Sequence, residues 1–297
     1  MAEEAPLTRV EKLALKFAEL ANEDSRGKWL QTRFLRGVSY VWVRAALANR
    51  MFADGLDEMC ALDPGDTGVM LVSNHRSFFD QYAMLLACYM GPVPWSKRLY
   101  FPVRSNFFYD QPLGIAVNAL VAAGAMYPPI YRQAERRALN DEALDKMVEI
   151  LRTPGNVLGM HPEGTRGKGP DPYAFLPAQP GVGKLALIGK PLVIPAFVLG
   201  LGNNIGQDIA WNFSRGARRD HAVITVFGKP IDYADLMAEK PRPTLYKKTA
   251  DRFMAAIKKL SEREKELRAE LQAGRISDDD PRWVSNRPVG KLYAREG

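Results

Sequence analysis

Residues 68–90, GVMLVSNHRSFFDQYAMLLACYM, place a short apolar run directly before a polar turn and a longer apolar segment. The run 68–73 has the length of a buried strand. The segment 78–90 has the length and composition of a helix, which Gly91 and Pro92 would end. A strand that leads through a turn into a helix is a basic unit of α/β proteins. The stretch therefore predicts a strand-to-helix unit in an α/β fold.

Further apolar runs continue this alternation. Strands are predicted at residues 98–103, 156–160, 191–198 and 221–227. Helices are predicted at residues 134–152, 181–189 and 244–272, where apolar side chains recur at helical spacing. The alternation indicates an α/β fold with a mostly parallel central sheet flanked by helices.

The N-terminal region is predicted to form amphipathic helices. Thr8 and Glu11 have the spacing of a capping box, ahead of a helix that ends near Asn22. Residues 25–53 then contain six basic side chains and no acidic one. The six are Arg26, Lys28, Arg33, Arg36, Arg44 and Arg50. In a helix, the apolar residues Leu30, Phe34, Val38, Val41 and Ala45 share one side. We expect this segment either to dock on the domain or to contact an anionic membrane.

The composition narrows the classes of partner. The 297 residues include 41 Lys and Arg against 34 Asp and Glu, so an anionic partner is favoured. No nucleic-acid-binding motif is present, and we therefore expect a membrane surface and no nucleic acid. The three histidines lack the spacing of zinc ligands, so no metal is expected. Two distant cysteines favour a reducing compartment, and the acidic start of the chain predicts no export signal.

Residues 111–131 contain no charged side chain, which meets the length of a membrane-spanning helix. Asn118 and the Pro128-Pro129 pair argue against a span, and we favour burial in the α/β core. Contact with the bilayer stays open. The predicted organisation is an N-terminal helical, membrane-docking region at 1–64, an α/β domain at 65–274 and a C-terminal tail at 275–297.

The first chemical motif is SNHRSFFD, residues 73–80. His75 and Asp80 are five positions apart, which on one continuous helix would separate them by about 140°. They can meet if the helix starts only at Ser77, which resembles an N-cap. A histidine whose ring is oriented by a carboxylate can act as a general base. The alternative is that Asp80 only caps the helix and His75 is a surface turn residue.

The second motif is MHPEGTRGKG, residues 160–169, directly after a predicted strand. Ligands of open α/β sheets bind at such strand ends. Gly164 allows close approach of the backbone, Arg166 has a planar group suited to phosphate, and Thr165 adds a hydroxyl. Glu163 could bond the loop backbone or the ligand, and both roles stay open. The alternative is an ordinary turn with solvated charges.

Together, NHRSFFD at 74–80 and HPEGTRG at 161–167 resemble the paired motifs of the 1-acylglycerol-3-phosphate acyltransferase family of glycerolipid acyltransferases. The resemblance continues through residues 180–198 and 221–232 and covers about residues 65–260. It implies the fold described above, with the domain at 65–274 as the acyltransferase domain.

The resemblance also implies residue roles. His75 would deprotonate the acceptor hydroxyl and Asp80 would orient it, and amide groups at the helix start after Ser77 are candidates for the oxyanion site. The residues implied at the acceptor phosphate are Glu163, Gly164, Thr165 and Arg166.

Three positions depart from the family pattern. His161 stands where the family usually has Phe, and it would either touch substrate or replace packing. Pro128 and Pro129 interrupt a block that normally ends in an acid and an arginine, for which Arg132 is a candidate substitute. Gly167 stands where the family often has Ser.

The resemblance implies an enzyme of phospholipid biosynthesis. It would move a fatty acyl group from a thioester, acyl-CoA or acyl carrier protein, to a lysophospholipid hydroxyl, most simply of 1-acylglycerol-3-phosphate. No cofactor besides the donor is implied. Glycerol 3-phosphate or another lipid headgroup, a hydrolase that activates water, and a non-catalytic membrane-binding protein stay open. The lipid substrate and the basic N-terminal region suggest a peripheral or monotopic protein at the cytoplasmic face of a membrane.

Overall fold

The computed structural model describes residues 7–90, 93, 95–109, 111–120, 122–131 and 136–287. Its strands are β1 (Met51–Asp54), β2 (Val69–Ser73), β3 (Arg98–Tyr100), β4 (Val103–Arg104), β5 (Pro129–Ile130), β6 (Asn156–Met160), β7 (Leu192–Leu199) and β8 (Val223–Phe227). Six of them form the central sheet in the order β1-β8-β7-β2-β6-β3, while β4 pairs with β5. Only the pairing of β7 with β8 is antiparallel among these described strands. The predicted α/β fold with a mostly parallel sheet is confirmed.

Helices cover the sheet. They are α1 (Arg9–Asn22), α2 (Ser25–Phe34), α3 (Tyr40–Leu47), α4 (Leu56–Cys60), α5 (Asp80–Met90), α6 (Ser105–Phe108), α7 (Pro112–Leu120), α8 (Arg137–Arg152), α9 (Pro180–Gly189), α10 (Ile205–Asn212), α11 (Ala234–Met237) and α12 (Pro243–Gln272). One turn of π-helix joins α2 to α3. The predicted helices at 181–189 and 244–272 are confirmed as α9 and α12. Gly91 and Pro92, predicted to end α5, lie outside the described residues.

Residues of the predicted N-terminal region and of the predicted tail meet at β1, a strand that the sequence analysis does not predict. The basic segment with helical spacing extends to Arg50, directly before β1. A strand of only four residues at the end of that segment has no separate signal in the sequence. Its Phe52 packs edge-on against Trp283, with ring centroids 4.9 Å apart. Residues from the predicted N-terminal region and tail are thereby packed on the central sheet. The predicted divisions after residues 64 and 274 stay predictions.

The N-terminal helices form as their local signals indicate. Thr8 caps α1 in a capping box, because its hydroxyl accepts from the amide of Glu11 and the Glu11 carboxylate accepts from the amide of Thr8. The basic segment, however, does not place all its charges in solvent. Lys28 is buried and donates to Asn22 and to the carbonyl of Leu99. Two of the six basic side chains are in fact buried anchors, since Arg50 is also buried and pairs with Asp208.

The uncharged stretch 111–131 forms a short helix, a turn and a short strand. It contributes α7 and β5, and Ala125, Met126 and Tyr127 between them are buried in the core. Within the described ranges, no helix has both the length and the apolar character needed to cross a membrane.

Close packing of α9 against α12 generates a stability prediction. A Cβ atom on Gly183 would overlap the carbonyl oxygen of Tyr246 on α12, whereas a Cβ on Gly181 would meet nothing within 4 Å. We expect Gly183→Ala to lower the free energy of unfolding by about 1–3 kcal/mol, because the two backbones must separate. Gly181→Ala, on the same helix, should leave it unchanged or raise it by up to about 1 kcal/mol. Urea unfolding of both variants measures the difference, and equal values would contradict this packing.

Candidate active site

The candidate site begins where β2 leaves the sheet. The side chain of Asn74, the next residue, donates to the carbonyl of Val198 and accepts from its amide, both at 2.8 Å. Through these two bonds, the side chain of Asn74 continues the pairing of β2 with β7 by one residue beyond Ser73. His75 is therefore held at the carboxyl edge of the sheet, where ligands of α/β proteins bind.

Asp80, the first residue of α5, holds the turn before the helix and orients His75. Its Oδ2 accepts from the amide of Arg76 at 2.7 Å and from the amide of Ser77 at 2.8 Å. The same oxygen lies 3.1 Å from Nδ1 of His75. One carboxylate oxygen of Asp80 therefore holds both the turn before α5 and the ring of His75. Because an ionised carboxylate only accepts hydrogen bonds, Nδ1 of His75 carries the proton and Nε2 is the nitrogen that can accept another.

The start of α5 differs from the prediction. The helix begins at Asp80, and Ser77 lies in the turn before it, with its hydroxyl accepting from the amide of Phe79 and donating to the carbonyl of Gly202. The amide of Phe78 donates to Asn203. These amides already have partners, so the predicted oxyanion site after Ser77 is not supported. The late helix start is what lets the chain bend His75 back towards Asp80.

The electrostatic surroundings keep His75 neutral. Burial lowers the pKa of His75 well below its usual value, and the guanidinium groups of Arg166 and Arg104 lower it further. Burial raises the pKa of Asp80, while the amides of Ser77 and Arg76 oppose that rise. The His75 side chain is still 18% exposed. A neutral imidazole with one face open to solvent is the form that can accept a proton.

The loop of the second motif, residues 160–169, holds the backbone of His75 in place. The Glu163 carboxylate is buried and accepts from the amides of His75 and Leu176, each at 3.0 Å. Of the two roles left open for Glu163, the structure shows bonding to the backbone. Gly164 has a φ of +63°, which favours glycine. The amide of Gly167 donates to the carbonyl of His75 at 2.9 Å.

The neighbouring side chain of Arg76 explains why position 167 is a glycine. A Cβ at this position would lie 2.6 Å from Nη1 of Arg76, whose guanidinium crosses the loop to the carbonyl of Gly169. A serine, frequent here in the family, would displace that arginine. The glycine at position 167, which departs from the family pattern, therefore leaves room for the side chain of Arg76.

Two arginines flank His75. Arg166 donates to Asn203 at 2.8 Å, and its guanidinium lies 3.3 Å from the centroid of the Phe78 ring. Arg104, on β4, donates to the carbonyl of Gly164 at 2.6 Å. The sequence analysis did not propose Arg104. The available signal was a basic residue one position after the predicted strand 98–103, too weak without knowing that this strand end borders the site.

Two further residues of the predicted site are Thr165 and Arg132. Thr165 lies half-buried in the loop beside Arg166. Arg132, the candidate substitute for a phosphate-binding arginine, lies outside the described residues. In the part of the chain that the structure describes, no group of three His, Cys, Asp or Glu side chains is arranged to hold a metal ion.

A buried carboxylate, a neutral histidine and two adjacent guanidiniums define an acid–base site suited to an anionic substrate. Residues 55–199, which contain this site, match the family model described as Acyltransferase. Residues 55–199 therefore form an acyltransferase domain, the protein is an acyltransferase, and the resemblance indicated by the two motifs is confirmed.

Comparison with solved structures finds the 1-acyl-sn-glycerophosphate acyltransferase from Thermotoga maritima. It is 14% identical, with 85% of this chain and 88% of that chain covered at a TM-score of 0.47. Comparison with curated proteins found no match.

Proposed function

We propose that the enzyme transfers a fatty acyl group from an acyl thioester to a hydroxyl of a lysophospholipid, most simply 1-acylglycerol-3-phosphate, in phospholipid biosynthesis. The observation that carries this proposal is the neutral His75, held on Asp80 and flanked by Arg166 and Arg104. The donor is acyl-CoA or acyl carrier protein, and no further cofactor is part of the proposal.

The chemistry follows from the orientation of the histidine. Asp80 holds the Nδ1 proton, so Nε2 accepts the proton of the acceptor hydroxyl as its oxygen attacks the thioester carbonyl carbon. The carbon–sulfur bond then breaks, and His75 returns the proton to the departing thiolate. The products are the ester and the free thiol, and the enzyme ends in its starting state. General base catalysis of this kind contributes about 10²- to 10⁴-fold to the rate.

The arginines supply the acceptor's binding charge. After burial, the charges of both guanidiniums are the next largest causes of the lowered pKa of His75. A phosphate next to the attacking hydroxyl would balance this positive charge, and guanidinium binds phosphate in a planar, two-bond geometry. Arg104 is fixed on the loop carbonyl of Gly164, whereas Arg166 is the member that the family motif carries.

The first test removes the base. His75→Ala should reduce acyl transfer by at least about 10²-fold, because the hydroxyl loses its proton acceptor. His221→Ala serves as the matched control and should leave transfer unchanged, since the His221 ring stacks on Trp211 and not on His75. Thermal unfolding checks that both variants fold. Thioester turnover in His75→Ala equal to that of the wild type would refute the role.

The second test concerns the phosphate. Arg166→Ala should raise the KM for 1-acylglycerol-3-phosphate roughly tenfold or more, because a charge-assisted contact is lost. The kcat should change less. Arg219→Ala, an exposed arginine on the loop after α10, is the control and should leave KM unchanged. An Arg166→Ala variant with wild-type KM for the phosphorylated acceptor would reject phosphate binding there.

Glycerol 3-phosphate is the second candidate acceptor. It shares the phosphate and the hydroxyl but lacks the acyl chain, so the same two arginines would bind it. An assay with one thioester and both acceptors decides between them. Donor turnover without any acceptor would instead indicate hydrolysis, which the match to the acyltransferase model does not favour.

The N-terminal helices support contact with a membrane surface. On α1, the exposed apolar residues are Val10, Leu13, Phe17 and Leu20, while Ala14 and Ala18 pack on the core. The apolar side predicted for the next segment also faces outwards, with Leu30, Val38 and Val41 each more than half exposed. Other residues, such as Leu35 and Val43, bury the inner face. These helices thus pack on the domain and present a second apolar face.

We infer that this outer face docks on an anionic membrane, on the cytoplasmic side, as a peripheral or monotopic contact. The adjacent Arg26 and Arg33 are exposed and would meet anionic headgroups. The acyl acceptor would then reach the site from the lipid phase.

The third test addresses this docking. The double variant Leu13→Ser/Phe17→Ser should weaken binding to anionic vesicles at least tenfold, since two apolar side chains no longer enter the lipid. Met237→Ser, a partly exposed apolar residue on α11, is the control. Vesicle flotation measures the bound fraction. Unchanged flotation of the double variant would contradict the docking face.

A further inference from the structure

His161 lies directly beneath the candidate base. Its ring stacks on that of His75 with centroids 3.9 Å apart and planes 4° from parallel. The contact arises because β2 and β6 are neighbours and each histidine follows the end of its strand. The sequence analysis left two roles for His161, contact with substrate or replacement of the packing of a phenylalanine.

The ring of His161 is locked in one tautomer. Its Nδ1 lies 2.9 Å from the carbonyl oxygen of Asn74 and 3.2 Å from that of Ser73. Two carbonyl oxygens at this distance require a donor, so Nδ1 carries the proton. The other nitrogen, Nε2, is buried and has no hydrogen-bond partner among the described residues. The Nδ1–H group of His161 thus points to the end of β2, which leads directly into His75.

His161 is also neutral. Burial lowers its pKa well below the usual value, and the adjacent His75 lowers it further, while Asp80 opposes the shift. Two imidazoles in face-to-face contact can hardly both be charged, because like charges so close repel strongly. A neutral His161 therefore leaves His75 as the member of the stack that takes up a proton.

We propose that His161 is a positioning residue for the base: its ring fixes the plane of His75 and keeps water from one face of that ring. The inference rests on the proposed function, since it assigns His161 a task through His75. His161 does not contact the substrate in this role. A freely rotating His75 would lose its bond to Asp80 and the aim of Nε2, and misplacement of a reacting group is costly to rate.

The charged neighbours define the expected pH effect. His75 faces Arg166 from the loop after β6, Arg104 from β4 and Asp80 from the start of α5. His161 faces His75 and Asp80. Glu163 accepts hydrogen bonds from the backbone amides of His75 and Leu176. Because burial is the largest cause of the lowered His75 pKa, exposing its inner face raises that pKa towards about 6.5, the value of a free histidine.

Two variants separate the ring from its hydrogen bond. His161→Phe keeps an aromatic ring but loses the Nδ1 donor, whereas His161→Asn keeps a donor near Nδ1 but loses the ring. We expect His161→Phe to retain kcat within about twofold. For His161→Asn we expect kcat to fall roughly tenfold or more with the acceptor KM unchanged. The acid limb of its kcat/KM profile should move to higher pH.

Other outcomes overturn the proposal. Wild-type kcat and pH profile in His161→Asn would show that the stacked ring does not position the base. Impairment of His161→Phe with wild-type activity of His161→Asn would assign the effect to the Nδ1 hydrogen bond instead, and equal impairment of both variants would show that a stacked aromatic ring is not sufficient. A lower melting temperature with an unmoved pH profile would mark a purely structural contact.

A titration separates this inference from the proposed function. Proton NMR of His75 in the wild type and in His161→Asn reports its pKa without any substrate. If the wild type transfers no acyl group, the proposed function fails, while a higher His75 pKa in His161→Asn still supports the positioning role. Identical titrations reject it, whatever the enzyme catalyses.

Discussion

The site depends on a single carboxylate oxygen. Oδ2 of Asp80 accepts the amides of Arg76 and Ser77 and faces Nδ1 of His75, in a position where the side chain is almost fully buried. Burying a carboxylate is costly unless donors surround it. These N–H groups meet that requirement, and in doing so they fold the turn that brings His75 back over the start of α5. Without this turn, the two side chains would point in different directions.

The sheet edge holds this turn rigidly from both sides. Asn74 bonds to Val198 on β7, and the loop after β6 holds His75 through the Glu163 carboxylate and the Gly167 amide. Because parallel strands end at the same edge, bonds between neighbouring strand ends are short and mutually supporting. A histidine held in this way has little orientational freedom left to lose, which is the condition under which a general base transfers protons efficiently.

The N-terminal helices face two environments at once. Their inner sides bury Ala18 and Leu35 against the core, while Leu13 and Val38 remain open to solvent. Lys28 on α2 connects these helices to β3 by donating a hydrogen bond to the carbonyl of Leu99. A rigidly attached apolar surface is well suited to a lipid interface, because docking then orders no new segment of the chain.

Local signals in the sequence determined much of this architecture. Capping by Thr8 and Glu11 depends on residues within one turn, and the buried strand before His75 is visible in composition, so both were predictable. Tertiary structure alone decided the burial of Lys28, the position of Arg104 beside the base and the stacking of His161 on His75. Each of these contacts joins segments distant in sequence, and their geometry exists only once β2, β3 and β6 lie side by side in the sheet.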